Sequence, residues 1–190
     1  GRILQTLDDK GLADNTIVIY TADHGLSVGQ HGLLGKQNLY DHSIRIPMIL
    51  RGAGIEVGKR SDALCYLYDL FPTICERAGV PLPETNEGYS LNTLLMGYTD
   101  AHRHSIFEAY QDVFGHPRSK PYQRMVKGGR FKLIQSYLGD DITTQLFDLE
   151  TDPYETHDLH EDREYIHVVS SLQRRLSSWQ SVVNDPVASE

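Results

Sequence analysis

The run Thr16-Ile-Val-Ile-Tyr-Thr21 constrains this chain most. It is apolar without alternation and β-branched at Thr16, Ile17, Val18 and Ile19, the pattern of a strand buried on both faces of a mostly parallel sheet. Ligands of such sheets gather at the carboxyl ends of the strands. At that end of this run stands "TADHGLSVGQHGLLGK", residues 21–36, with Asp23, His24, His31, four glycines and Lys36. Asp, His and Gly are ordinary loop residues, so the stretch reads either as a turn or as one flank of a site.

A second candidate strand runs from Ile46 to Leu50. The stretch "DLFPTICERAG" predicts a short helix, with Asp69 as N-cap, Pro72 in the first turn and Gly79 just past the end. Beyond about Met96 the pattern changes. Four short candidate strands, "HSIFEAY", "QRMVKGG", "RFKLIQSY" and "TTQLFDLE", predict a small antiparallel sheet with a turn at Gly128-Gly129. Tyr165, Ile166, Val169, Leu172, Leu176, Trp179 and Val183 recur at threes and fours and predict a long helix packed across it. The expected organisation is α/β over residues 1–96, the end of a mixed sheet flanked by helices, followed by a small α+β subdomain over 97–190.

With 190 residues, 39% of them hydrophobic, the chain can bury a real core. Its formal net charge of -8 and the lack of any Lys/Arg block argue against an extended nucleic-acid footprint. No apolar stretch approaches the roughly 20 residues needed to span a bilayer. The first residues, "GRILQTLDDKG", have no apolar signal region. They read as a helix with Ile3, Leu4 and Leu7 on one face and Gly11 as its stop, so the chain is expected to begin mid-domain. Cys65 and Cys75 have apolar neighbours and no metal-ligand spacing, as two buried thiols would.

Three chemical readings of residues 21–36 stand side by side. Gly25, Gly29, Gly32 and Gly35 let backbone pass close to an ion or ester, and Lys36 offers a point charge to an oxyanion. Alternatively, "GLSVG" satisfies G-x-S-x-G and would make Ser27 the nucleophile of a serine esterase. Against that, an elbow must open into a helix, and glycines at 29, 32 and 35 cost up to about 1 kcal/mol each there. The third reading is a noncatalytic interaction domain.

The segment "IVIYTADHGLSVGQHGLLGKQNLYDHSIRIPMIL" resembles the signature of the sulfatase family, within the alkaline-phosphatase-like superfamily: strand, Asp-His pair, glycine loop, Gly-Lys, then an R-x-P-x-I strand. "SDALCYLYDLFPTICERAGVPLP" is similar to the family's next helix, and "GRFKLI" and "QLFDLETDPYETHDL" to segments near sulfatase C-termini. The resemblance covers nearly the whole chain and implies the C-terminal half of a sulfatase. It implies Asp23 and His24 as ligands of a divalent metal, usually Ca2+, with His24 alternatively touching the ester, and Lys36 as a sulfate contact. His31, in the same loop, is a candidate substrate contact, while Asp41-His42 reads as a charged helix turn.

Sulfatases attack through a formylglycine made in a C/S-x-P-x-R motif. Neither Cys65 nor Cys75 sits in one, so that nucleophile is expected on an N-terminal half, and this chain alone is expected to be inactive. The implied partner is a sulfated small molecule or glycan, the implied compartment periplasmic, secreted or lysosomal. The loop "AYQDVFGHPRSKPYQR", residues 109–124, has the aromatic and basic composition to grip a sulfated sugar or aryl group. A phosphatase or phosphodiesterase of the same superfamily is the nearest alternative.

Overall fold

The computed structural model describes residues 1–111 and 122–189, so most of the candidate gripping loop lies outside the described residues. In chain order the elements are α1 (Arg2–Asp9), β1 (Val18–Thr21), β2 (Ser27–Val28), β3 (Leu34–Gly35), α2 (Asp41–Ile44), β4 (Met48–Arg51), α3 (Leu70–Ala78) and α4 (Asn92–Leu95). They continue with β5 (Ile106–Gln111), β6 (Tyr122–Gly128), β7 (Phe131–Leu138), β8 (Asp141–Asp148) and α5 (Ile166–Val182). Two compact units result, one from Gly1–Asp23 with Ile46–Arg103, the other from His24–Arg45 with His104–Glu190.

In the first unit β1 pairs with β4, antiparallel, Val18 opposite Arg51 and Thr21 opposite Met48. The pattern suggested a mostly parallel sheet, and the described partner is antiparallel, because an apolar run does not carry the direction of its partner. Nor is β1 buried on both faces, since Tyr20 is 63% exposed. The apolar face of α1 is likewise open, with Ile3 exposed and no residue of the helix buried. Leu70, Leu91 and Leu94 form the core, with Ile19, Met48, Leu50 and Cys65 packed on it. α3 ends as expected, Gly79 taking the left-handed conformation (φ 67°) that a side chain would disfavour.

Asp69 stands at the N-cap position of α3 as expected, but its side chain does not cap the helix. Its buried carboxylate accepts from the backbone N–H of Tyr66 and of Tyr89, both at 2.9 Å, and from the guanidinium of Arg103. Burial alone would raise this carboxyl; the Arg103 bonds and the two backbone N–H groups outweigh it and hold it below the usual range. Arg103 in turn lies over the rings of Tyr66 and Tyr89, 4.8 and 4.2 Å from their centroids. Cys75 is buried and Cys65 partly so, both as free thiols.

The second unit is built on the four-stranded antiparallel sheet β5-β6-β7-β8. Its strands alternate between two cores. Val126, Leu133 and Leu146 meet Val169, Leu172 and Leu176 of α5 on one face. Their chain neighbours Met125, Ile134 and Phe147 meet Leu39, Tyr40 and Ile44 on the other. Covering on both faces explains why β6 and β7 carry runs of buried residues where a half-solvated sheet would alternate. Gly129 turns the β6–β7 hairpin at φ 60°, between Gly128 and its partner Phe131. Residues 38–44 therefore belong to the packing of the C-terminal sheet.

Candidate functional site

The loop that carries the candidate residues is braced by the small hairpin of β2 and β3, which pairs Ser27 with Gly35 and Val28 with Leu34. Between them the chain turns through Gly29 (φ 117°), His31 (φ 53°) and Gly32 (φ 71°), a left-handed course that a loop without glycine adopts only under strain. On its other side, the N–H of Gly25 donates to the carbonyl of Ser43 at 2.8 Å. A side chain at Gly25 would overlap the carbonyl oxygen of His42. Glycine here lets the loop lie directly on α2.

That contact positions His24. Its Nδ1 is 2.8 Å from the carbonyl of Gly25, and a carbonyl only accepts, so the ring carries its proton on Nδ1 and presents a lone pair at Nε2. Lys36 Nζ donates to that lone pair at 2.5 Å. Lys36 is exposed, and among the described residues it forms no ion pair with a carboxylate. The result is a cation at a loop surface, held by an imidazole whose tautomer is fixed from behind. A metal would need the same Nε2 lone pair, so ligation by His24 competes with the Lys36 contact.

His31 takes a different place. It is exposed, its Nε2 donates to the carbonyl of Tyr154 at 3.1 Å, and its ring stacks on Tyr40 with centroids 4.0 Å apart. Tyr40 stacks in turn near His42 at 5.6 Å. Asp23 is exposed and is the last residue of the first unit's opening segment. Among the described residues no group of three or more His, Cys, Asp or Glu could hold a metal ion. Of the two expected ligands Asp23 belongs to the first unit and His24 to the second, and one carboxylate and one imidazole fall short of the six to eight oxygens calcium takes.

Ser27 is not a nucleophile elbow. It lies in β2, not at a strand-to-helix turn, and is 1% exposed. Its Oγ accepts from Asn38 Nδ2 at 3.0 Å and lies 3.3 Å from Ser43 Oγ. Both contacts tie the loop to the segment that feeds α2, so the hydroxyl serves the loop's fixation.

Sequence reasoning missed the network beneath the loop. Lys132 of β7 is fully buried and contacts Asp41 at 2.7 Å and Glu155 at 2.6 Å. The other Glu155 oxygen accepts from the backbone N–H of Asp41. Burial raises the Glu155 carboxyl despite Lys132. Burial acts the same way on Asp41, but there Lys132, with Lys127 at 3.6 Å, prevails and holds it below the usual range. His42, next to Asp41, is shifted down by burial and then by the nearby His31 and Lys132. In the sequence Glu155 is only one acid of "DPYETHDL", with nothing to tie it to Lys132; in the structure it takes a left-handed turn conformation (φ 58°).

Comparison with known proteins points the same way. The sequence profile of the family described as "N-sulphoglucosamine sulphohydrolase, C-terminal" matches residues 29–182. Arylsulfatase K of Mus musculus is 31% identical over 192 residues, covering 100% of this chain and 34% of that protein. An N-acetylglucosamine-6-O-sulfatase of Bacteroides thetaiotaomicron is 32% identical, covering 97% of this chain and 34% of that protein. A solved structure in complex with its substrate D-glucosamine-2-N,6-O-disulfate superposes with a TM-score of 0.86 at 30% identity, over 100% of this chain and 39% of that one. The chain thus spans about a third of the length of the curated relatives it matches. It belongs to the sulfatase family of the alkaline-phosphatase-like superfamily, and corresponds to the C-terminal region of that fold.

Proposed function

We propose that the protein carrying this chain is a sulfuric ester hydrolase, in which residues 21–36 supply one flank of the active site. The observation that carries the reading is the exposed Lys36 ammonium seated on His24 Nε2, on a glycine loop inside the family's matched region. Lys36 contacts the sulfate and stabilises charge as the alcohol leaves, an effect that grows as water is excluded. Asp23 and His24 would hold a divalent metal, Ca2+ in this reading, whose chemistry is to fix the sulfate oxygens and spread their charge. With its Nδ1 committed to Gly25, His24 could ligate only through Nε2, which would displace Lys36 Nζ from that lone pair and free it toward the sulfate. His31, whose ring is fixed by Tyr154 and Tyr40, is assigned to the substrate rim.

The nucleophile, a formylglycine, is assigned to sequence outside this chain, because no cysteine or serine here sits in C/S-x-P-x-R. For the substrate we infer a sulfated carbohydrate. Support comes from the N-acetylglucosamine-6-O-sulfatase relative and from the neighbour solved with a glucosamine disulfate. A periplasmic, secreted or lysosomal setting accords with such a substrate; among the described residues no helix is long and apolar enough to cross a membrane. The test is hydrolysis of an aryl sulfate and of a sulfated glucosamine by the full-length protein, with wild type, Lys36→Ala and His24→Ala compared alongside their thermal midpoints. Loss of turnover with an unchanged midpoint supports the assignment, and normal turnover by Lys36→Ala removes it.

A further inference from the structure

Away from the glycine loop, a groove of about 1000 Å3 runs where α5 meets the β5 and β6 strands. Its charged lining residues are Arg174 and Arg175 of α5, and the lining holds no carboxylate. Both arginines are exposed, and among the described residues neither forms an ion pair. In a chain of net charge -8, a concave surface with cations and no carboxylate is a local reversal of field. The arginines are also placed. Arg175 Nη1 donates to Ser105 Oγ at 3.0 Å, and a side chain at Gly128 would come within 2.9 Å of that same nitrogen. The wall beside them is aromatic, Phe107 stacked on Trp179 with centroids 5.4 Å apart and planes 2° from parallel.

We propose that this groove, on the α5 side of the four-stranded sheet, binds a sulfated oligosaccharide segment. The glycan class rests on the proposed function. Adjacent guanidiniums present N–H forks suited to sulfate oxygens, and a Trp-Phe wall suits the apolar face of a sugar ring. The site holds a neighbouring stretch of a long sulfated chain and so raises the enzyme's affinity for polymer over short substrate by keeping the chain bound between encounters.

The test uses the full-length protein and a size-defined heparin octasaccharide, titrated at fixed ionic strength, with a hyaluronan octasaccharide of the same length and a single-stranded DNA as competitors. The double variant Arg174→Gln/Arg175→Gln is expected to bind heparin about tenfold more weakly. Its thermal midpoint and its kcat/KM on a small aryl sulfate should stay at wild-type values. Trp179→Phe, which keeps a ring in the wall, should weaken binding by less than the double variant. Unchanged heparin binding in the double variant overturns the proposal, as does equal competition by hyaluronan or by DNA. Heparin binding abolished by Lys36→Ala but untouched by the arginine variant also overturns it, because the octasaccharide then occupies only the catalytic loop. If the wild type hydrolyses no sulfate ester yet binds heparin through these arginines, the enzymatic reading fails and the groove stands.

Discussion

Two lysines of the same unit occupy opposite extremes. Lys132 is 0% exposed and has carboxylate oxygens of Asp41 and Glu155 at 2.7 and 2.6 Å. Lys36 is exposed, sits on a glycine loop, and rests against an imidazole lone pair. A buried ammonium must be compensated within the protein, and once it is, no charge is left over for a ligand. An exposed ammonium steered by a neutral ring keeps its field for an anion arriving from solution. The contrast separates the lysine that braces the loop from the lysine that leaves its charge at the surface, the one proposed to meet the sulfate. It also links them: Lys132 holds Asp41 at the start of α2, the carbonyl of Ser43 in α2 holds Gly25, and the carbonyl of Gly25 holds His24.

The sharpest way to break this comparison is Lys132→Ala. It leaves two carboxylates facing each other, one of them almost fully buried, with the 3.6 Å contact from Lys127 as the nearest compensation. Removing one partner of a buried ionic group costs about 3–5 kcal/mol, so denaturant unfolding of the full-length protein should show a loss of that order. A loss under about 1 kcal/mol would mean the cluster is solvated and not structural. Adding Glu155→Gln to Lys132→Met should recover part of the loss, since the charge left behind is halved.

Lys36→Ala tests the other half. Truncating an exposed loop residue changes stability by less than about 0.5 kcal/mol, whereas a charged contact to a developing oxyanion is commonly about 3 kcal/mol, two orders of magnitude in kcat/KM. Lys36→Arg should recover only part of the rate, because its forked head is larger than the ammonium held at 2.5 Å by His24 Nε2. If Lys36→Ala unfolds the protein, the two lysines are alike after all.

Ser27→Ala gives an intermediate effect within the same loop. It deletes the acceptor of Asn38 Nδ2 and the neighbour of Ser43 Oγ in a buried setting, a change of about 1–3 kcal/mol. Turnover per folded molecule should persist, and a fluorophosphonate probe should not label the wild-type serine. Labelling at Ser27 would restore the esterase reading.

What the sequence made legible was local. The four C-terminal strands and α5 emerged within a few residues of their observed bounds because glycine turns and the three-four spacing of Val169, Leu172 and Leu176 are short-range signals. Gly79 ended α3 for the same reason. Illegible were contacts between distant positions. Asp41 lies 91 residues from Lys132, and His31 lies 123 from Tyr154; no periodicity relates such pairs. Asp69 shows the same failure at shorter range: its sequence context called for a cap, but Arg103 and the Tyr66 and Tyr89 N–H groups took the carboxylate. Leu39, Tyr40 and Ile44, far in sequence from the C-terminal strands, likewise pack on their sheet. Of the candidate site, His24 and Lys36 meet, while His31 meets the carbonyl of Tyr154 and the rings of Tyr40 and His42.

Acid titration gives the smallest effect and asks whether the buried ion pairs, unlike the open lysine, carry stability. The Lys132 cluster is a poor reporter because its two acids move oppositely. Asp41 lies below its ordinary value, a contribution lost as pH falls, while Glu155 lies above its own, a contribution of the opposite sign. Asp185 is cleaner. Arg124 donates to both of its oxygens, Nε at 2.6 Å and Nη2 at 2.7 Å, and Gln180 and the N–H of Val187 add to the set. The Arg124 bonds, against the opposing effect of burial, hold this carboxyl below its ordinary 3.8. An unfolded chain therefore takes up the proton near 3.8 while the folded one still resists. The pair's contribution is complete above that pH and is lost as pH falls through the lower folded value. Asp185→Asn should be less stable than wild type at pH 7, and the gap between them should narrow as denaturant midpoints are followed from about pH 5 to pH 3. A gap that does not change with pH would mean that Asp185 acts only through its shape and hydrogen bonds, and that the ionic half of the comparison rests on Lys132 alone.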